Sequence, residues 1–358
     1  MGTETHSRMP RPSTTVGSGV IHSPAPYPYR PTNLGGGSCH ESGSEAERQV
    51  MGRYVVRRLG QLVVVVLGAT MILFACLFVL PGDPVGQIAG SDKARDPAVI
   101  AQLHKQYGLD DPLIVQYGNY VGKLVQGDLG EDYTQSRPVS EILGPKLANT
   151  AKLATAAIVL DIIIGISVGV LAAMRRYSIW DVSATFVTTL AIGVPSIVLG
   201  MIMQRVFVIE LGWFPLIADD SFNSIVLPAV TLAIIDAALV AQLARSTMLE
   251  VLGADYVKTA VAKGLPRRTV LTRHILRNSV IPVITYLGIS FGGLLGGAII
   301  TETIFNWNGI GLALIQAIQQ NNNPVIVGVV TISVAVFVVL NLVVDLLYAA
   351  LDPRIRLA

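Results

Sequence analysis

From residue 59 onward the chain alternates long apolar runs with short polar stretches. At about 20 apolar residues per membrane-spanning helix, the runs predict spans at 59–80, 148–173, 182–208, 225–244, 279–302 and 325–350. Six spans, an even number, place both chain ends on one side. Two polar regions between spans are long enough for structure of their own, 83–146 and 250–278. The first is punctuated by Pro81-Gly82-Asp83-Pro84, Pro97, Asp111-Pro112 and Pro138, the pattern of short helices separated by turns. Within it, Ala98 to Tyr107 and Leu113 to Val125 repeat apolar residues at helical spacing.

Composition agrees with an all-α integral membrane protein. Apolar residues make up 52% of the 358, charged residues 14%, and the mean hydropathy is +0.58, outside the soluble globular range. The net charge of +2 says little, because it is spread over opposite faces of a membrane. The distribution of Lys and Arg says more, since short loops rich in them stay in the cytoplasm. Arg53, Arg57 and Arg58 precede the first span and Arg175 and Arg176 follow the second. Seven cations from Arg245 to Arg277 follow the fourth, Arg354 and Arg356 close the chain, and loops 206–224 and 303–323 hold none. Both termini are therefore expected in the cytoplasm, with 83–146 on the outer side.

Residues 1–50, rich in Gly, Ser, Pro and His and poor in aliphatics, cannot bury enough surface to fold alone and read as a disordered cytoplasmic extension. No apolar run with a small-residue cleavage site precedes Met51, so the segment is not a secretory signal. His6, His22, Cys39 and His40 are spaced too irregularly for a metal site. Cys39 and Cys76 give no grounds for a disulfide.

The polar, basic 250–278 loop is the most informative segment. Its composition suits a docking surface better than a catalytic site. A helix is expected from Ala254 to Lys263, with Asp255 in the first turn favoured by the helix dipole and Gly264 as its stop. Pro266 forbids continuation. Val257, Ala260 and Val261 share one face of that helix and Asp255, Lys258 and Lys263 rim it, an aliphatic knob of the kind a partner's groove accepts. Arg267 to Leu276 is read as a return helix ahead of Pro282, with Arg273, His274 and Arg277 turned to the cytoplasm or a partner. Arg267 and Arg268 are read as serving the positive-inside bias and anionic lipid.

Ala260, Gly264 and Leu276, within EVLGADYVKTAVAKGLPRRTVLTRHILRN, resemble the cytoplasmic EAA loop by which permease subunits of ABC importers engage their ATPases. The wording ADYVKTAVAKGL, with LPGDP after the first span, LDDPLIVQYGNYV and GDLG at 127–130, resembles the dipeptide and oligopeptide permease branch across 51–358. Lys258-Thr259 stands where the wider family has Glu-Ala, and Arg277 where it has Pro. The resemblance implies a type I importer permease fold, with six spans, an extracytoplasmic insertion and a cytoplasmic coupling helix. It implies docking of ATPases through Ala254, Asp255, Tyr256, Lys258, Thr259, Ala260, Lys263, Gly264, His274 and Leu276. A solute-binding protein is implied on the insertion near Gly127, Asp128, Leu129 and Gly130. The further partners it implies are a second, homologous permease, two ATP-binding subunits and membrane lipid, with no nucleic acid. ATP and Mg would belong to the ATPases, leaving this chain without cofactor.

Inside the spans, Asp161, Asp236 and Asp345 each cost at least about 2.5 kcal/mol against lipid and so must face protein or water. Asp236, midway along the fourth span, either lines the translocation path and meets a peptide amino group or pairs with a neighbouring helix. Gly288, Gly292 and Gly296 leave one helix face nearly bare for close packing. That face either seals a gate against the partner permease or packs within the subunit. GGLLGG cannot bind nucleotide within an apolar span, and GxxxxGK[ST] and HExxH are missing. No catalytic constellation remains. Related permeases carry dipeptides, longer peptides, nickel chelates, haem or glutathione. A gradient-driven secondary transporter, which predicts paired broken helices, stays as the distant alternative on the strength of Asp161 and Asp236.

Overall fold

The computed structural model describes residues 57–58, 60–75, 111–132, 135, 137–218 and 221–351, all within the compact unit Tyr54–Ala358. The 1–50 extension, the expected helix from Ala98 to Tyr107, the LPGDP motif and the closing residues 352–358 lie outside them. The described elements are α1 Gly60–Ala75, α2 Leu113–Val125, a two-residue hairpin pairing β1 Glu131–Asp132 with β2 Arg137–Pro138, and α3 Val139–Met174. They continue with α4 Ile179–Gly193, α5 Ser196–Glu210, α6 Phe222–Gly253, α7 Asp255–Ala262, α8 at 267–304, α9 Ile310–Gln319 and α10 Asn323–Leu351.

Helices α3, α6, α8 and α10 are long and apolar enough to cross a membrane, and the bent pair of α4 and α5 adds a fifth when taken as one span. The described part of the first span, α1, runs to Ala75. Three expectations are corrected. The third span, read as one run over 182–208, breaks by 102° between Gly193 and Ser196. Pro195 forces Val194 into extended backbone (φ −88°, ψ 124°), although hydropathy does not dip there. The second span starts at Val139, well before 148, because Val139 and Leu143 are fully buried against Ile310, Val325 and Val329. The fourth runs to Gly253, past 244, because Met248 of its last turns is itself fully buried.

Helix α6 is the centre of the fold. Its alanines, including Ala233, Ala237, Ala241 and Ala244, are buried and let α3, α4 and α8 approach closely. A side chain at Gly169 of α3 would stand 2.5 Å from the Ala241 carbonyl oxygen. Helix α2, whose bounds match the sequence expectation, is tied down by Tyr117 Oη donating to the Leu67 carbonyl at 2.8 Å and by the Tyr120–Thr331 hydroxyl bond at 2.8 Å.

Candidate coupling site

At the basic end of the bundle the chain leaves α6 at Gly253, turns through Ala254 (φ −69°, ψ 146°) and enters α7. Asp255 occupies the first turn of α7 and makes an exposed 2.8 Å ion pair with Lys258. Termination follows the expected chemistry. Gly264 takes φ +76°, its N–H donates to the Val261 carbonyl at 2.9 Å, and Leu265 N–H donates back to the Ala260 carbonyl at 3.3 Å. This paired closure satisfies the last carbonyls, and the left-handed backbone it needs suits glycine. The chain then re-enters the bundle as α8.

The knob is turned differently from the expectation. Val257 and Ala260 are buried against Ala173 of α3, Met248 of α6, and Val270 and Ile275 of α8. They anchor α7 to three span ends, and Ala260, expected on the docking face, does not reach it. The outward face is Tyr256 (45% exposed), Val261 (60%) and Leu265 (39%), with Asp255, Lys258, Thr259, Lys263 and Gly264 also exposed. Ala254, His274 and Leu276 are half-buried. Tyr256 Oη accepts from Asn278 Nδ2 at 3.2 Å, fixing the ring to α8.

The return helix does not end before Pro282. Residues 270–276 form a π-helical stretch that passes directly into Arg277–Ile304, so α7 leads through one turn into a continuous span. Pro282 removes a backbone donor near the start of that span. Close by, Thr247 Oγ1 of α6 donates to the Ser279 carbonyl at 3.0 Å, the kind of helper by which membrane helices tolerate proline.

Within the membrane part, Asp236 accepts from Tyr286 Oη at 2.8 Å and from Ser290 Oγ, both on α8. Of the two readings, pairing with a neighbouring helix matches this geometry. Gly292 is buried, and a side chain there would stand 3.1 Å from the Phe337 ring of α10. The glycine face at this point therefore serves packing within the subunit. Gly296 lies on the helical backbone of α8.

Gly127, Asp128, Leu129 and Gly130 form a turn at the opposite end. Gly127 and Gly130 have φ +81° and +88°, and Asp128 Oδ1 accepts from Gly130 N–H at 2.8 Å. Gly127 and Asp128 are exposed, whereas Leu129 packs on the Val139 cluster.

Three polar devices escape a reading of the sequence. Glu302, fully buried, accepts from Thr150 Oγ1 at 2.5 Å and from Gly311 and Leu312 N–H at 2.7 and 3.1 Å. It neutralises the start of α9, where a carboxylate meets the positive end of the helix dipole. Asn322 Nδ2 donates to Asp132 Oδ1 at 2.5 Å, closing α10 onto the hairpin. At the basic end, Arg245 binds Asp181 through two bonds of 2.5 and 2.9 Å, and Asp181 also accepts from Tyr177 N–H at 2.9 Å. The sequence counted Arg245 only as a loop cation. The clues available were an acid next to Thr303 in an apolar run and an acid three residues after Ser178, neither of which names its distant partner.

Residues 165–357 match the family described as binding-protein-dependent transport system inner membrane component, and residues 51–164 match that family's N-terminal model. The dipeptide transport system permease protein DppB of Alkalihalophilus pseudofirmus is 37% identical over 331 residues, covering 85% of this chain and 99% of the relative. The glutathione transport system permease protein GsiC of Escherichia coli K12 is 38% identical over 303 residues, covering 85% and 98%. A crystal structure of an amino acid ABC transporter with histidines aligns with a TM-score of 0.49 at 16% identity, over 59% of this chain and 95% of that one. With the two family models together matching residues 51–357 and relatives of this identity covering 85% of the chain, the chain belongs to the binding-protein-dependent transport system inner membrane components.

Proposed function

We propose that this chain is the permease subunit of an ATP-driven importer of dipeptides or short oligopeptides, and that α7 is the element through which ATPase subunits act on it. One observation carries the reading: α7 is an exposed, properly terminated helix whose inner face is buried against the ends of α3, α6 and α8. Force applied to Tyr256, Val261 and Leu265 reaches three spans at once. The complex contains a second, homologous permease, two ATP-binding subunits that hold ATP and Mg, and a solute-binding protein that docks near Gly127 and Asp128. Both termini and α7 lie in the cytoplasm, in keeping with the Lys and Arg distribution. Closure of the ATPases pushes α7 and switches the bundle between inward-open and outward-open arrangements, a two-state gate on one solute path.

Glutathione is the second substrate reading, because the glutathione and dipeptide relatives are equally near, at 38% and 37% identity. The test is to purify the complex assembled on wild type and on Tyr256→Ala/Val261→Asp, then measure ATPase co-purification and uptake of labelled dipeptide and labelled glutathione in proteoliposomes. The proposal expects the ATPases to be lost from the variant and dipeptide to be taken up by the wild type in an ATP-dependent manner. Uptake without ATP by a chain that binds no ATPase overturns the importer reading. Saturable uptake of glutathione alone replaces the substrate.

A further inference from the structure

The centre of the bundle holds a polar layer between two apolar ones. On one side Ala154, Ala157, Ala233 and Leu294 pack together, on the other Val240, Ala244, Val283 and Leu287. Between them lie Asp161 of α3, Asp236 of α6, and Tyr286 and Ser290 of α8. The two hydroxyls are spent on Asp236. Asp161 is fully buried, and neither of its carboxyl oxygens has a hydrogen-bond partner. The side chain it faces is the Asp236 carboxyl, itself an acceptor, so a bond between the two needs a shared proton or cation. Among the described residues the ion pairs lie elsewhere, at Arg137–Glu141, Arg205–Glu210, Arg245–Asp181 and Lys258–Asp255.

Two acceptors with no donor between them, inside a membrane, are the signature of a missing positive charge. A buried carboxylate persists only when paired or hydrogen-bonded, and an uncompensated one is costly at this depth. Asp161 also opens the five-residue π-helical stretch Asp161–Gly165, an irregularity frequently found at functional sites. We propose that Asp161 and Asp236, with Ser290 and Tyr286 beside them, form an intramembrane site for one monovalent cation. The cation is either a proton, carried on one carboxyl and donated to the other, or an alkali metal ion held by the same hard oxygen donors. The site sits where α3, α6 and α8 meet, so its occupancy sets how firmly the three helices hold register. The groups that face it are Asp161, Asp236, Tyr286 and Ser290, one or two from each of the three helices.

The full-length chain in lipid nanodiscs tests this with two readouts. One is the infrared carboxylic-acid C=O stretch in alkali-free buffer at neutral pH. The other is the shift in unfolding temperature on replacing choline chloride with sodium chloride. A proton as occupant gives the acid band in the wild type and its loss in Asp161→Asn, with no sodium effect. An alkali ion gives no acid band and a rise in unfolding temperature with sodium that Asp161→Asn and Asp236→Asn abolish. Asp161→Asn is expected to be at least as stable as the wild type in cation-free buffer at high pH, because its amide donates to Asp236 in place of the cation. A wild type with neither acid band nor sodium response holds two bare carboxylates, and the proposal is then wrong. The wild-type spectra decide this even where a variant fails to fold.

Discussion

The far end of the bundle and the seat of α7 are fastened by different chemistry. At the far end Glu302, Thr150, the first amides of α9, and the Asp132–Asn322 bond make a buried network of directional hydrogen bonds. At the basic end α7 sits on a pad of Val257, Ala260, Met248, Val270 and Ile275 held by apolar contact. Its polar links, such as Lys258–Asp255, are exposed. Hydrogen-bonded networks specify one geometry and penalise any other, because each broken bond strands a buried group. Apolar burial is non-directional and tolerates a small slide without stranding anything. Under the proposed coupling through α7, the hydrogen-bonded clamp lies away from the end where force enters and the apolar pad lies at it.

The contrast can be broken most severely at the clamp. Glu302→Leu strands Thr150 Oγ1 and two amide donors, each costing about 1–3 kcal/mol, and is expected to produce the largest fall in unfolding temperature of the purified chain. Glu302→Gln should recover part of it. Next comes Met248→Ala, which empties the centre of the pad and should cost about 2–5 kcal/mol, read by denaturation together with weaker ATPase retention. Gly264→Ala forces a side chain into left-handed backbone at about 1–2 kcal/mol and should fray the end of α7, visible as faster amide exchange at Gly264 and Leu265. Lys258→Ala removes an ion pair in solvent and should leave the unfolding temperature unchanged. A fall as large as that of Met248→Ala would mean that polar contacts, not the pad, secure α7.

Legibility in the sequence followed how local the cause was. The bounds of α7 were readable because Asp255, Gly264 and Pro266 act on their own neighbours, and α2 because its apolar spacing is its own. The continuity of α8 through Arg277 and Pro282 was not readable, since it depends on support from α6. The break at Val194-Pro195 carried its signal in the proline, but hydropathy alone ran straight across it. The orientation of Ala260 was misjudged because periodicity defines a helical face without saying which of two bodies it meets. Glu302 lies 152 positions from Thr150, a pairing that only the folded topology reveals.

The most direct test of the central claim is crosslinking to the ATPase subunits in the assembled, transport-competent complex. Single cysteines at Val261→Cys and Val257→Cys, after Cys39→Ser and Cys76→Ser, probe the outward and inward faces of α7. The account predicts that Val261→Cys crosslinks to an ATPase subunit and Val257→Cys does not. An active complex in which Val257→Cys crosslinks and Val261→Cys stays unreactive would contradict it.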